Sequence, residues 1–118
     1  MDARFAEAFA ADWIGSWNAH DLDAVLAHYS EDFEMSSPYI VSLAGEASGT
    51  LRGKPAVRAY WSKALGLLPD LHFELLTVLV GVRSVTLYYR SAGSRLAAEV
   101  LHFGQDDKVV SAFAHYAA

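Results

Sequence analysis

The chain has 118 residues, 53% of them hydrophobic, no cysteine and a formal net charge of −5. That length predicts one domain, residues 1–118, with enough chain to bury a real core. The composition excludes disulfides, thiolate catalysis and Cys-ligated zinc, the missing basic run argues against nucleic acid, and no stretch approaches the ~18 apolar residues of a membrane span.

The opening MDARFAEAF lacks a basic region followed by an apolar core, so a cytoplasmic, soluble protein is expected. The hydrophobic fraction is high for such a domain, which points to a buried subunit interface or an apolar cavity.

Asp2 is placed to cap a first helix. Phe5, Phe9, Trp13 and Trp17 repeat every four residues and form one aromatic stripe, suited to a core face or to the wall of a cavity. The helix is expected to end at Asn18-Ala19-His20. Asp21 then caps a second helix whose inner face carries Leu22, Val25, Leu26 and Tyr29. Ser30-Glu31-Asp32 reads as a polar turn. Phe33 to Ser37 alternates as a strand, and Pro38 ends it.

Tyr39 to Arg52 reads as a long connection, of the kind that often forms a lid or a pocket rim. Gly53-Lys54-Pro55 opens a third helix, with Val57, Tyr60, Trp61, Ala64, Leu65 and Leu68 on its apolar face. Pro69-Asp70 stops it. Four β-rich runs follow: Leu71 to Val80, Val85 to Arg90, Arg95 to Phe103 and Lys108 to Tyr116. Short Gly/Ser/Asp turns join them, so an antiparallel meander is predicted and the fold class is α+β.

This order of elements resembles the nuclear transport factor 2-like superfamily. WNAHDLDAVLAHYSEDFEMSSP, Gly53 to Trp61 and the ending His102-Phe103, Asp107 to Val110, His115-Tyr116 are similar to its SnoaL-like polyketide cyclase and ketosteroid isomerase branch. The resemblance covers nearly the whole chain. It implies a cone, with three N-terminal helices packed on a curved, mostly antiparallel sheet and the active site inside. It implies no cofactor, a small hydrophobic molecule as partner, and a homodimer through the outer face of the sheet. Val85, Leu87, Tyr89 and Val100 are among the residues on faces that three helices cannot all cover.

Most of the isomerase machinery is replaced in this sequence. Where that family has a general-base Asp before the proline, Ser37 stands here. Where it has an oxyanion-holding Tyr on the first helix, Trp13 stands here, with a single N–H to donate. The position of its second oxyanion donor, an acid on the penultimate strand, is Glu99.

Glu99 lies in the apolar run Leu96 to Leu101, on one face with Ala97, Leu101 and Phe103 by alternation. An acid among such neighbours is costly to bury ionised unless something pairs with it. It is therefore either a cavity acid with a raised pKa or an edge carboxylate paired with Arg90 or Arg95. His115, on the last strand, falls where the resemblance puts a cavity aromatic, so it joins Glu99 as a candidate catalytic residue.

Trp13, Trp17, Tyr29, Met35, Ser37, Tyr39, Tyr60, Trp61 and Leu101 are the candidate substrate-binding residues. His102 is expected on the outer face, at an interface. His28 reads as structural, His20 as solvated in its turn, and His72 as the start of a strand. No His pair has metal-ligand spacing, so no metal site is assigned. Two functions remain open: an acid–base enzyme of isomerase, cyclase or dehydratase type, or an inert ligand-binding or scaffold member of the same fold.

Overall fold

The computed structural model describes residues 1–118. Helix α1 spans Ala3–Asn18, and Asp2 Oδ1 accepts the Arg4 N–H at 2.8 Å as its cap. Ala6, Phe9, Ala10, Trp13 and Trp17 are its buried residues, so the aromatic stripe does face the core. Helix α2 is a single turn and a half, Leu22–Leu26, capped by Asp21 through the Ala24 N–H at 3.1 Å. No helix is long and apolar enough to cross a membrane.

Strand β1 runs Tyr29–Ser36, so it begins before the expected Phe33. The Ser30-Glu31-Asp32 stretch is not a turn but an irregular part of the strand. Tyr29 already pairs with Val109, and the register shifts between Tyr29 and Glu34.

The expected connection Tyr39 to Arg52 holds two elements of its own. A π-helix covers Ile40–Ala44, and strand β2, Thr50–Arg52, pairs antiparallel with β1. Gly49, at φ 73°, turns the chain between them, and its carbonyl accepts the Ser37 N–H at 2.9 Å. The sheet therefore has six strands where five were expected. A three-residue edge strand is too short to show a period in sequence.

Gly53, at φ 89°, is the turn that lets helix α3 (Lys54–Leu67) leave β2, and glycine adopts that angle without steric cost. Val57, Tyr60 and Trp61 are the residues α3 buries. Strands β3 (Glu74–Gly81), β4 (Ser84–Arg90), β5 (Leu96–Phe103) and β6 (Val109–Tyr116) form the meander. The sheet order is β2-β1-β6-β5-β4-β3, antiparallel except for the β1–β6 pair.

Irregularities at Leu75/Thr77 and His102/Phe103 bend the sheet around the helices, as bulges do. The concave face carries Val85, Leu87, Tyr89, Ala97, Glu99, Leu101 and Phe103, all buried. Val85, Leu87 and Tyr89 are thus inner residues, not part of the uncovered face. Thr86, Tyr88, Val100 and His102 alternate with them on the outside, near the exposed Leu79, Val110 and Phe113.

The segment before β3 is fixed from α1. Asn18 closes two bonds on the backbone of Phe73: its Nδ2 donates to the carbonyl at 3.0 Å, and its Oδ1 accepts the N–H at 2.7 Å. His20, at φ 57°, places its ring Nε2 2.9 Å from the Leu71 carbonyl. It is therefore half-buried and bonded rather than solvated. These contacts hold Leu71 and Phe73 as a wall between α1 and the sheet.

Candidate active site

Between the concave sheet, α1, α3 and the π-helix lies a cavity of about 470 Å³. Trp13 and Trp17 wall it from α1, Tyr60 and Trp61 from α3, and Phe73 and Tyr89 from the β3–β4 side. The aromatic rings support one another. Trp17 meets Trp61 edge-on at 5.0 Å between centroids, and Phe73 lies 4.9 Å from Tyr89. Such contacts fix large side chains at low entropic cost. The mouth is framed by Tyr39, Leu43, Leu67 and Leu68, by the turn Ser91-Ala92-Gly93, and by Arg95.

Glu99 is the only carboxylate on the lining, and the lining holds no histidine. Its side chain is 3% exposed. The sole hydrogen bond to it comes from the Tyr89 hydroxyl, long at 3.4 Å, to Oε1. No cation pairs with it. Arg95 donates to Tyr39 Oη at 2.7 Å and to the Ala117 carbonyl, and Arg90 donates to the Ser94 carbonyl. The edge-carboxylate reading of Glu99 is thereby overturned.

Burial pushes the Glu99 carboxyl up from 4.5 to about 8, and the Tyr89 hydrogen bond acts weakly the other way. The surrounding phenols respond to the same environment. Burial first, and the nearby Glu99 second, raise Tyr29, Tyr89 and Tyr116. Burial also raises Tyr60, which the Ser37 hydrogen bond partly offsets. All four phenols stay neutral at physiological pH, so Glu99 is the titrating group of the cavity.

Of the residues expected there, Trp13, Trp17, Met35, Tyr39, Tyr60, Trp61 and Glu99 line the cavity. Tyr29, Ser37 and Leu101 do not; they are buried behind it. Tyr29 Oη accepts the Trp13 Nε1–H at 2.9 Å. The single donor of Trp13 is therefore spent inside the protein and not offered to a ligand. Ser37 Oγ accepts the Tyr39 N–H at 3.2 Å and faces the Tyr60 hydroxyl at 3.4 Å, so it shapes the strand end rather than acting as a base.

His115, expected as a catalytic partner of Glu99, is not in the cavity. It lies exposed on the outer face of β6, while Tyr116 lines the cavity. Counting by two from the buried Val109 would put His115 inside. An extra residue on β6 between the pairs Phe103–Val109 and His102–Ser111 reverses that parity, and Ala112, Ala114 and Tyr116 face in.

The lining also includes Tyr116, Tyr89, Phe73 and Arg95, beside the mouth residues. Alternation from Glu99 would have reached Arg95, and cross-strand pairing of Tyr89 with Ala97 would have reached Tyr89. One more feature has no sequence signal. Trp17 Nε1 is a buried donor without a hydrogen-bond partner.

A family model described as a SnoaL-like domain matches residues 10–115. The chain belongs to the SnoaL-like family. A SnoaL-like protein of unknown function from Burkholderia thailandensis E264 is 59% identical, with a TM-score of 0.96, over 99% of this chain and 98% of that one. AclR from Streptomyces galilaeus, named as a candidate hydroxylase, is 17% identical with a TM-score of 0.75, over 98% and 91% of the two chains. The epoxide hydrolase/cyclase-like enzyme SalBIII, of pyran ring formation in the polyether salinomycin, is 16% identical with a TM-score of 0.74, over 98% and 93%. The last two likenesses show the fold alone. No curated protein matches the chain. Ketosteroid isomerase-like and nuclear transport factor 2-like architectures recur among the similar structures, as the six-stranded curved sheet requires.

Proposed function

We propose that this SnoaL-like protein binds a small apolar, oxygen-bearing molecule in its cone and that Glu99 exchanges a proton with it. The observation that carries this reading is a carboxyl that is 3% exposed, unpaired by any cation and facing an aromatic cavity. With its pKa near 8, both protonation states are populated close to neutrality, where a general acid or base works best. Glu99 takes a proton from a carbon next to a substrate carbonyl and returns it from the same oxygen. No cofactor is needed for such a step. We place the protein in the cytoplasm and take it as a homodimer through the outer sheet face.

A second reading, an inert binding protein, is favoured by one observation: the lining offers no second titrating acid or base beside Glu99. One experiment separates the two. β-Tetralone is a neutral apolar ketone with exchangeable α-hydrogens. In D₂O, the protein should bind it and accelerate deuterium uptake at the α-carbon. Glu99→Gln should still bind and lose the acceleration. Binding with no acceleration in the parent supports the inert reading, and exchange undiminished in Glu99→Gln removes Glu99 from the chemistry.

A further inference from the structure

Arg95 is the one cation on the cavity lining. At the mouth, Arg95 has three of its N–H groups directed to Tyr39 Oη and the Ala117 carbonyl. Its charge is not neutralised, because no carboxylate lies within ion-pair distance of it. The guanidinium lies 5.4 Å from the centre of the Tyr116 ring, a cation–π contact that sets its orientation at the rim. The protein as a whole carries −5, so a lone cation on the lining is not a consequence of a basic surface.

Arg95 directly precedes β5 in extended backbone, four residues before Glu99, about 13 Å along the chain. The cavity is thus polarised: a fixed cation at its mouth, apolar aromatic walls, and one acid at depth. From this geometry, and resting on the cavity reading above, we infer that the ligand is a small apolar carboxylic acid. Its carboxylate sits at Arg95 and its flat body lies against the aromatic walls. A planar guanidinium with free N–H groups matches the paired oxygens of a carboxylate, and the apolar walls suit that small anion on an apolar body.

The test compares para-hydroxycinnamate with its neutral amide, para-hydroxycinnamamide, by calorimetry. The two share a body and differ in charge at one end. The parent should prefer the acid by about tenfold, the value of a charge-assisted pair over a neutral one. Arg95→Met should bring that ratio close to one whatever it does to the amide, and Arg95→Lys should restore part of it. Thermal melts of each variant separate loss of the Ala117 contact from loss of the ligand contact.

Equal binding of acid and amide by the parent overturns the inference, and so does a preference that survives Arg95→Met. Failure of both compounds to bind also overturns it. β-Tetralone carries no charge and reports on the cavity alone. If it binds while the acid preference is absent, only the anionic ligand class falls and the proposed function stands.

Discussion

Replacing Glu99 by Gln tests the site without any substrate, through the pH dependence of folding. The carboxyl is 3% exposed and is pushed by burial from 4.5 to about 8. The sign follows from proton counting. Below about pH 4.5 the carboxyl is neutral in both folded and unfolded chains. Between 4.5 and about 8 the unfolded chain ionises while the folded chain keeps its proton, so the folded state binds more protons and stability falls as pH rises. Above about 8 the loss is complete.

Each pKa unit is worth about 1.4 kcal/mol, so the full displacement amounts to about 5 kcal/mol. That is comparable with the whole stability of a small domain. Glu99→Gln keeps the shape, can accept the Tyr89 hydroxyl and does not titrate. Urea unfolding of parent and variant in parallel from about pH 4.5 to 9 isolates this one group, because all other titrations cancel in the difference. The difference should grow in favour of the variant as pH rises, by up to about 1.4 kcal/mol per unit. A difference that stays flat would refute the buried neutral acid. A parent that instead loses stability relative to the variant as pH falls would mean an ionised, paired Glu99.

Truncating the aromatic stripe should be costly: Trp13→Ala removes a 2%-exposed ring stacked on Phe73 at 5.9 Å and should lose about 3–5 kcal/mol in denaturant unfolding. Asn18→Ala breaks both bonds to the Phe73 backbone at a half-buried position and should lose about 1–2 kcal/mol, whereas Asn18→Asp keeps the acceptor and should lose less. The outer sheet face, with Leu79 at 55% and Phe113 at 40% exposure, should pair with a second copy, so light scattering should give a dimer and Phe113→Lys a monomer. A parent that scatters as a monomer at micromolar concentration would reject that interface.

The parts legible in sequence are those with a sustained period. The i, i+4 aromatics of α1, the apolar face of α3 and the alternation through β4 and β5 each repeat often enough to fix which side is buried. Alternation alone put Glu99 on the face of Ala97, Leu101 and Phe103, where all four are buried. The parts that were not legible depend on single residues or on partners far along the chain. Strand β2 exists because β1 has a free edge for Thr50–Arg52, not because those three residues announce a strand. His115 and Tyr116 exchange faces because of one extra residue near Val110. Trp13 is withdrawn from the ligand by Tyr29, sixteen residues away, through a bond that no spacing rule reveals.

Those same departures say what kind of chemistry the cavity can support. Ser37 keeps its hydroxyl proton at neutral pH and accepts from Tyr60, His115 is outside, and the tyrosines are held neutral by burial. Only Glu99 changes charge in the accessible range. The cavity lining therefore offers no second side chain to act as a base near neutral pH. What remains is a relay in which one carboxyl takes a proton and gives it back, or a binding event in which it donates and keeps it. Nothing in the fold asks for an acid at this position: Glu99 forms one long bond, pairs with no cation, and its burial opposes folding as pH rises. A leucine or glutamine would pack the same strand at lower cost. An acid maintained there against stability, on one cavity lining with Arg95, is what the proposed ligand would account for.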